Sequence, residues 1–370
     1  MYYKKIEGKH VYLSPIDFKQ DPEQYLNFGT NRQIRYQELE APTSIEDSRE
    51  KLEKIAEDTF SIVSKDNELV GFCGITRTIA FNQRTDAFLI INPNLDIEKQ
   101  LQYGEEGYLL FLKYCYEFLN LNSIISKNAT QDEVLREIYR QTMMYLGTAS
   151  LGSYVDGKYY DTDYFQLTKK TFSLTGQENK ILLPGKGYEL DTKPGQLPIS
   201  LKGQRIELLR PNEEVLKEND LEKLVEYLND YDIAVPLGEA KQNWFEKNTK
   251  EYLMGVTYWV MRDERIIGFV NLLREDTHNK VADMEYAILD KNEHNKGYAT
   301  EALELFQKAL FESNYLNSLI SGVFDFNHAS QRVMQKANME LFGIRSDGYY
   351  MDGKFYDMFM NNNSTVKRHK

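Results

Sequence analysis

The most regular pattern of apolar and polar positions is a short apolar strand followed by an amphipathic helix near residue 300. Apolar residues dominate 282–289, and then recur at helical spacing at Ala299, Leu303, Phe306 and Leu310. The same reasoning predicts strands near 206–210, 258–262, 266–273, 282–289, 318–323, 341–345 and 354–360. It predicts helices at about 213–228, 239–249, 298–311 and 330–336.

The order of these features occurs twice along the 370 residues. Four segments of the first half match four of the second in the same order: 8–13 with 203–208, 69–72 with 266–269, 122–126 with 317–321, and 156–161 with 352–357. Proline and glycine are frequent between the two halves, as is typical of a connecting segment. We therefore expect domains at 1–170 and 201–370, joined by a linker at 171–200. Each half reads as a strand, two helices, three strands, a helix, a strand, a helix and two closing strands.

The composition of the chain disfavours several classes of function. The formal net charge of -12 disfavours a general nucleic-acid binder, which would neutralise phosphates with clustered lysine and arginine. With only Cys73 and Cys115, no disulfide framework is predicted, and the spacing of the five histidines predicts no metal site. No run of residues has the length and apolar character of a signal peptide or a membrane span. A soluble cytoplasmic protein without membrane or nucleic-acid partners is expected.

The residues between the strand and the helix indicate a site for a phosphorylated ligand. Amide groups in the first turn of a helix, together with the positive end of the helix dipole, hold phosphate oxygens if no bulky side chain blocks the backbone. Gly297 and Ala299 leave that room. An isolated Gly-x-Ala would be an ordinary strand-to-helix turn, so the prediction depends on the flanking elements.

At this level the second half, from about Gly203 to Met360, resembles the GNAT superfamily of acyl-CoA-dependent N-acyltransferases, in particular its ribosomal-protein N-terminal acetyltransferase branch. The segments that carry the resemblance are Gly268, the strand with Glu285 and Tyr286, 296–302, 327–333 and 352–357. The pyrophosphate loop of the family usually begins with Arg or Gln followed by Gly. This chain has His294 and Asn295 there, a departure that bears on CoA affinity.

The resemblance implies a fold and a cosubstrate. The expected fold class is α+β, with two tandem GNAT-type domains, each a mixed, mostly antiparallel sheet flanked by helices. The expected cosubstrate is acetyl-CoA, with no metal. The residues expected to bind it are Ala287, Ile288, Leu289, His294, Asn295, Lys296, Gly297, Tyr298, Ala299, Thr300 and Asn327.

The resemblance also implies direct attack of an amine on the thioester, which requires a base, stabilisation of the oxyanion and a proton for sulfur. Glu285 is the candidate base, with a structural salt bridge as the alternative. Ser330 is the candidate that binds or protonates the thiolate, although Ser330 and Asn327 would also cap the following helix well. Many relatives carry a Tyr acid seven residues after the Asn. That position is Met334 here, which leaves Tyr356 as the fallback acid.

The first half departs further from the family. Phe88 stands where the second half has Glu285, Asp132 where it has Asn327, and Leu135 where it has Ser330. In one register Glu105 and Glu106 replace Tyr298 and Ala299, and in the other Leu109 replaces Ala299. Both registers remove the small residue, so we expect a GNAT-like but inactive domain.

The function predicted from sequence is an N-acetyltransferase acting on a primary amine, either of a small molecule or of a protein N-terminus. The alternative from another class is a non-catalytic acyl-CoA-binding regulator or interaction module. A transferase that uses a hydroxyl acceptor or a longer acyl chain also stays open, and a homodimer is compatible with each of these. Fold alone does not select the acceptor.

Overall fold

The computed structural model describes residues 6–19, 21–29, 42–79, 83–172, 187–193, 195–211, 218–237, 258–351 and 353–366. Contacts between Cα atoms divide the chain into two compact units, which are described separately below. The first comprises 1–189 with 345–350, and the second 190–344 with 351–370. Within the described part of the chain, no helix is long and apolar enough to cross a membrane.

The first unit is built on a nine-stranded sheet with helices on its faces. Its strands are β1 Ile6–Glu7, β2 Val11–Pro15, β3 Thr59–Ser64, β4 Leu69–Ile79, β5 Arg84–Ile91, β6 Ser123–Ala129, β7 Met144–Val155, β8 Lys158–Thr168 and β9 Gly187–Tyr188. Its helices are α1 Asp21–Gly29, α2 Ile45–Ile55, α3 Ile97–Glu117 and α4 Glu133–Thr142, with a 3-10 turn at Ala56–Asp58.

The second unit is built on an eight-stranded sheet, of which only 345–350 in β16 are grouped with the first unit. Its strands are β10 Ser200–Lys202, β11 Glu207–Leu209, β12 Tyr258–Arg262, β13 Arg265–Asp276, β14 Val281–Ile288, β15 Ser318–Phe324, β16 Glu340–Met351 and β17 Lys354–Ser364. Its described helices are α5 Glu218–Asn229, α6 Tyr231–Ala234, α7 Tyr298–Glu312 and α8 His328–Lys336, with a 3-10 turn at Lys291–Glu293.

The two sheets have the same strand order. It runs β1-β2-β3-β4-β5-β6-β8-β7 in the first and β10-β11-β12-β13-β14-β15-β17-β16 in the second. Each sheet has one parallel pair, β5 with β6 and β14 with β15, and α3 or α7 makes the crossover between those strands. The described fold is therefore α+β with two mixed, mostly antiparallel sheets, and the repeated strand order agrees with the repeat in the sequence.

Both faces of the second sheet are covered. On one face, apolar residues of β11 to β15 pack with α7 and α8 in a core that includes Tyr258, Leu303 and Phe306. On the other face, Trp259 and Phe269 pack with side chains of α5 and α6. The alternation of side chains along each strand assigns neighbouring residues to opposite cores.

Most predicted elements of the second half agree in type and position with the structure. The strand predicted at 341–345 extends to Met351 as β16, and the short helix α6 was not predicted. The predicted helix at 239–249 lies outside the described residues. The edge strand β10 was not predicted, because 171–200 reads as a Pro- and Gly-rich connector and a three-residue strand has too few positions to show alternation.

A partly buried carboxylate ties α7 to the hairpin between β10 and β11. Glu301 Oε1 accepts hydrogen bonds from the amides of Gln204 (2.7 Å) and Arg205 (2.8 Å), and Oε2 from Arg205 Nε (2.8 Å). A Cβ added to Gly203 would lie 2.6 Å from Glu301 Oε1, so only glycine lets the hairpin approach this closely. Burial raises the pKa of Glu301, but these hydrogen bonds outweigh it and leave the pKa below its ordinary value.

We expect Glu301→Gln to destabilise the protein by about 1 to 3 kcal/mol at pH 7, since it removes the charge that these donors face. A carboxylate with a lowered pKa in the folded state contributes stability above its unfolded pKa of about 4.3 and loses it as pH falls through the folded value. The difference in melting temperature from wild type, measured by circular dichroism, should therefore be constant from pH 7 to 5 and shrink at pH 3. Glu304→Gln, on the exposed side of α7, is the control. A deficit equal at pH 7 and pH 3 would contradict this account.

Candidate functional site

A gap opens in the second sheet between its two parallel strands. The pairing of β14 with β15 runs from Val281↔Ser318 to Asp283↔Ile320, whereas β14 continues to Ile288. Where the strands separate, Ser321 Oγ donates a hydrogen bond to the Met284 carbonyl (3.1 Å). Beyond that point the edge of β14 is open to an extended ligand that brings its own amides.

The register between β14 and β13, its antiparallel neighbour, determines which backbone groups of β14 face this gap. The Leu289 amide donates to the Ile267 carbonyl (2.7 Å), and Phe269↔Ala287 and Asn271↔Glu285 follow at two-residue intervals in an antiparallel pair. Tyr286 and Ile288 therefore direct their backbone groups into the gap. This corrects the expectation that the backbones of Ala287 and Leu289 hold the ligand, because their amides and carbonyls face β13.

The side chains along β14 alternate between the two faces. Tyr286 and Ile288 pack against the core under α7 and α8, whereas Ala287 packs against the core under α5. Glu285, half-buried, shares the face of Ala287. A group held in the gap would thus have Glu285 on one side of the sheet and Tyr286 on the other.

The backbone that follows β14 forms a tight, exposed loop before α7. Asn295 and Gly297 have φ values of 61° and 85°, and Gly297 is the N-cap without a side-chain cap. The Glu301 amide makes the first helical hydrogen bond, to the Gly297 carbonyl (3.1 Å). The amides of Tyr298, Ala299 and Thr300 therefore point out of the helix end, which suits an anion.

Positive side chains surround this loop. Arg205 Nη1 donates to the Lys296 carbonyl (2.7 Å), and the guanidinium carbons of Arg205 and Arg262 lie 5.1 and 5.0 Å from the centre of the Tyr298 ring. The hydrogen bond from Lys296 Nζ to Glu293, with the nearby charge of Arg262, lowers the pKa of Glu293. These positive side chains are paired with carboxylates, Arg205 with Glu301, and Arg262 and Lys296 with Glu293. The ion pairs therefore fix the loop, and the amides at the start of α7 are the groups that suit a pyrophosphate.

His294 turns back onto the strand. Its Nε2 lies 2.8 Å from the Ile288 carbonyl, so Nε2 carries the hydrogen and donates. The carbonyl of Ile288 is therefore occupied. Within the part of the chain that the structure describes, the Tyr286 amide and carbonyl and the Ile288 amide face the gap and are open to a ligand. His294 contributes to the site by shaping the strand end.

Asn327 and Ser330 lie at the start of α8. Asn327 is its N-cap, because Oδ1 accepts from the Ser330 amide (3.0 Å). Ser330 Oγ lies 2.6 Å from the hydroxyl of Tyr286, which reaches across from β14. The structure thus joins Ser330 to the strand that carries Glu285. The link is Tyr286, to which the sequence analysis gives no catalytic role.

The fallback acid Tyr356 lies elsewhere, as does Met334, which occupies the position of the Tyr acid of many relatives. Met334 is 1% exposed and belongs to the apolar core. The ring of Tyr356 packs edge-on against Phe326, with centroids 5.0 Å apart. Tyr356 is not joined to Ser330 or Tyr286 by a hydrogen bond among the described contacts, and a methionine has no proton to donate, so Ser330 is the better placed of the two acid candidates.

The first unit shows how the same fold looks without this loop. Glu106 accepts from the His10 amide (2.9 Å) as Glu301 does from Arg205, and a Cβ on Gly8 would lie 2.3 Å from Glu106 Oε1. Glu106 therefore corresponds to Glu301, which places Gly104 at Ala299 and Gln102 at Gly297. Both registers considered from sequence are wrong, and the small residue is retained.

The first unit lacks the phosphate loop for a different reason. Helix α3 begins at Ile97 with Asp96 as its N-cap, so it runs through the segment that corresponds to the loop before α7. The amides that correspond to those of Tyr298, Ala299 and Thr300 are then interior to a helix and bonded within it. Carboxylate repulsion is not needed to explain the loss.

The gap between the parallel strands of the first unit is filled from within. Tyr139, seven residues after the N-cap Asp132, is fully buried and its hydroxyl bonds to the backbone of Leu89, the counterpart of Tyr286. Burial raises the pKa of Tyr139 far above its ordinary value. Phe88, at the position of Glu285, is also fully buried. Among the described residues, Tyr139 thus occupies the strand edge that corresponds to the open edge of β14.

Comparison with known proteins relates the second unit to a protein family. Residues 209–340 match the family model described as an acetyltransferase (GNAT) domain. The second unit contains a GNAT acetyltransferase domain. The match includes β14, the loop and Asn327, but ends before Tyr356. The comparison with curated proteins finds no match.

Several solved structures are similar to part of the chain. An acetyltransferase of the GNAT family from Bacillus anthracis is 19% identical, with 45% of this chain and 99% of that chain covered and a TM-score of 0.37. A GCN5-related N-acetyltransferase from Brucella melitensis is 16% identical, with 47% and 82% covered and a TM-score of 0.37. A ribosomal-protein-S5-alanine acetyltransferase from Vibrio fischeri is 14% identical, with 45% and 97% covered and a TM-score of 0.37. The family match carries the assignment of the GNAT domain.

Proposed function

We propose that the GNAT domain transfers an acetyl group from acetyl-CoA to a primary amine by direct attack. The observation that supports this best is the open edge of β14 directly beside the exposed amides at the start of α7. An extended pantetheine arm would pair with Tyr286 and Ile288, while Asn295 to Thr300 hold the pyrophosphate. Glu285, on the face of α5, and Ser330, at the start of α8, would then lie on opposite sides of the bound thioester.

The chemistry divides between the two faces of the sheet. Bound acetyl-CoA supplies an activated acyl group in the form of a thioester. On the α5 face, Glu285 takes the proton of the attacking amine, directly or through water, which keeps the nitrogen lone pair available. On the α8 face, the Ser330 hydroxyl donates a hydrogen bond toward the leaving sulfur. A base and a donor on opposite faces suit a reaction in which the amine forms its bond to the carbonyl carbon from one side and the thiolate departs on the other.

The acceptor is the part of this proposal that needs a direct assay. The test is to incubate the intact chain and acetyl-CoA with a peptide bearing a free N-terminus, spermidine or kanamycin, and to follow release of free thiol and acetylated product. Acceptor-dependent thiol release with at least one amine supports the transferase. Acetyl-CoA binding without turnover on any amine would instead favour the binding-module alternative.

A further inference from the structure

The hydroxyl of Tyr286 makes one short polar contact across the gap. It lies 2.6 Å from Ser330 Oγ and 3.4 Å from the Ser330 carbonyl, and its ring is packed against the core beneath α7 and α8. Burial raises the pKa of Tyr286 to about 12, so the phenol keeps its proton at neutral pH. Tyr286 therefore presents a single hydrogen to Ser330.

The direction of this hydrogen bond follows from the available acceptors. The Ser330 carbonyl lies in the first turn of α8, where it accepts from the amide four residues on, and 3.4 Å is long for a hydroxyl donor. Ser330 Oγ at 2.6 Å is the better acceptor. When Oγ accepts from Tyr286, the hydrogen of Ser330 itself is free to point elsewhere.

We propose, building on the acetyl transfer proposed above, that Tyr286 is a positioning residue that turns the Ser330 hydrogen toward the leaving sulfur. When the carbon–sulfur bond breaks, its electron pair goes to sulfur, and the thiolate is stabilised by the hydrogen bond from Ser330. The proton of the amine goes to Glu285 and then to solvent, and the released thiolate takes a proton from solvent. No proton leaves Tyr286 or Ser330, so the pair is ready for the next turnover.

Two physical effects make Tyr286 matter. Donation to Oγ removes the alternative in which the serine hydrogen points at Tyr286 and is lost to the reaction. It also polarises the Ser330 hydroxyl, because hydrogen bonds in a chain strengthen one another. Both effects act only while charge develops on sulfur, so they should change turnover far more than the affinity for acetyl-CoA.

The test is a double-mutant cycle of Tyr286→Phe and Ser330→Ala, assayed with the amine acceptor on which wild type turns over. Phenylalanine preserves the buried ring, so the fold should be retained, which circular dichroism checks. We expect each single variant to lower kcat about tenfold with KM for acetyl-CoA within about twofold. Because the tyrosine acts through the serine, the double variant should be no slower than Ser330→Ala.

A matched tyrosine controls for loss of a hydroxyl as such. Tyr315, after the end of α7, bonds through its hydroxyl to Glu275, and Tyr315→Phe should keep the wild-type kcat. The proposal is overturned if Tyr286→Phe matches wild type, or if it slows Ser330→Ala by a further tenfold. Wild type that binds acetyl-CoA but acetylates no amine would overturn the transferase itself, a result distinct from both.

Discussion

Replacing Gly297 by glutamate is expected to weaken acetyl-CoA binding at least a hundredfold. Gly297 has a φ of 85°, where a side chain costs about 1 to 2 kcal/mol, and a Cβ there would lie 3.3 Å from Arg205 Nη2. The larger effect comes from charge, because a carboxylate would be placed beside the amides of Tyr298 and Ala299 that hold the pyrophosphate. Isothermal titration calorimetry with acetyl-CoA measures the loss.

The first unit offers a matched control for this substitution. Gln102 is exposed and corresponds to Gly297, but it lies inside α3. Gln102→Glu should therefore leave acetyl-CoA affinity unchanged. Circular dichroism must show that both variants are folded. Wild-type affinity in folded Gly297→Glu would remove the α7 loop from the site.

Glu285→Gln is expected to lower the rate of acetyl transfer by about a hundredfold or more while leaving acetyl-CoA affinity nearly intact. Glutamine keeps the size and an acceptor oxygen of Glu285 but cannot take the amine's proton. Thiol release at saturating acetyl-CoA, followed from pH 6 to 9, measures the effect. As pH rises, a larger fraction of the amine is already neutral, so the variant should recover part of its rate.

Glu304→Gln is the control for loss of a carboxylate, since Glu304 lies on the exposed side of α7. It should behave as wild type. A Glu285→Gln variant with wild-type rate at pH 7 would show that the amine reaches the site already neutral, and that Glu285 has a structural role on β14.

The sequence predicted the fold of the second half well, because strands such as β14 and helices such as α7 carry strong, regular periodicity. The internal repeat extended that prediction to the first half. The order of strands and the positions of Phe88, Asp132 and Leu135 relative to Glu285, Asn327 and Ser330 all agree with the structure.

The parts that sequence did not predict depend on contacts between distant segments. The true correspondence of α3 with α7 became visible only through the hairpin glycines Gly8 and Gly203, whose counterpart carboxylates lie almost a hundred residues away. The early start of α3, which replaces the loop found before α7, is weakly indicated in the sequence by Asp96, a residue type that is typical of helix N-caps.

The role of Tyr286 had a signal that could have been used. Alternation along β14 places Tyr286 on the face opposite Glu285, toward the helix that begins after Asn327. Its hydroxyl contact with Ser330 depends on how far α8 lies from the strand, which no local pattern encodes. The same holds for Tyr139, whose equivalent position in the family suggests an acid but whose hydroxyl is used by the backbone of Leu89.

The central claim is that the chain has one acetyl-CoA site, formed by β14 and the loop before α7. Calorimetric titration of acetyl-CoA into the intact protein tests it most directly. One site per chain is the predicted result, because α3 runs through the segment that corresponds to the α7 loop, and Tyr139 bonds to the backbone of Leu89, the counterpart of Tyr286. Two sites per chain would contradict the reading of the first unit, and absence of binding would contradict the site itself.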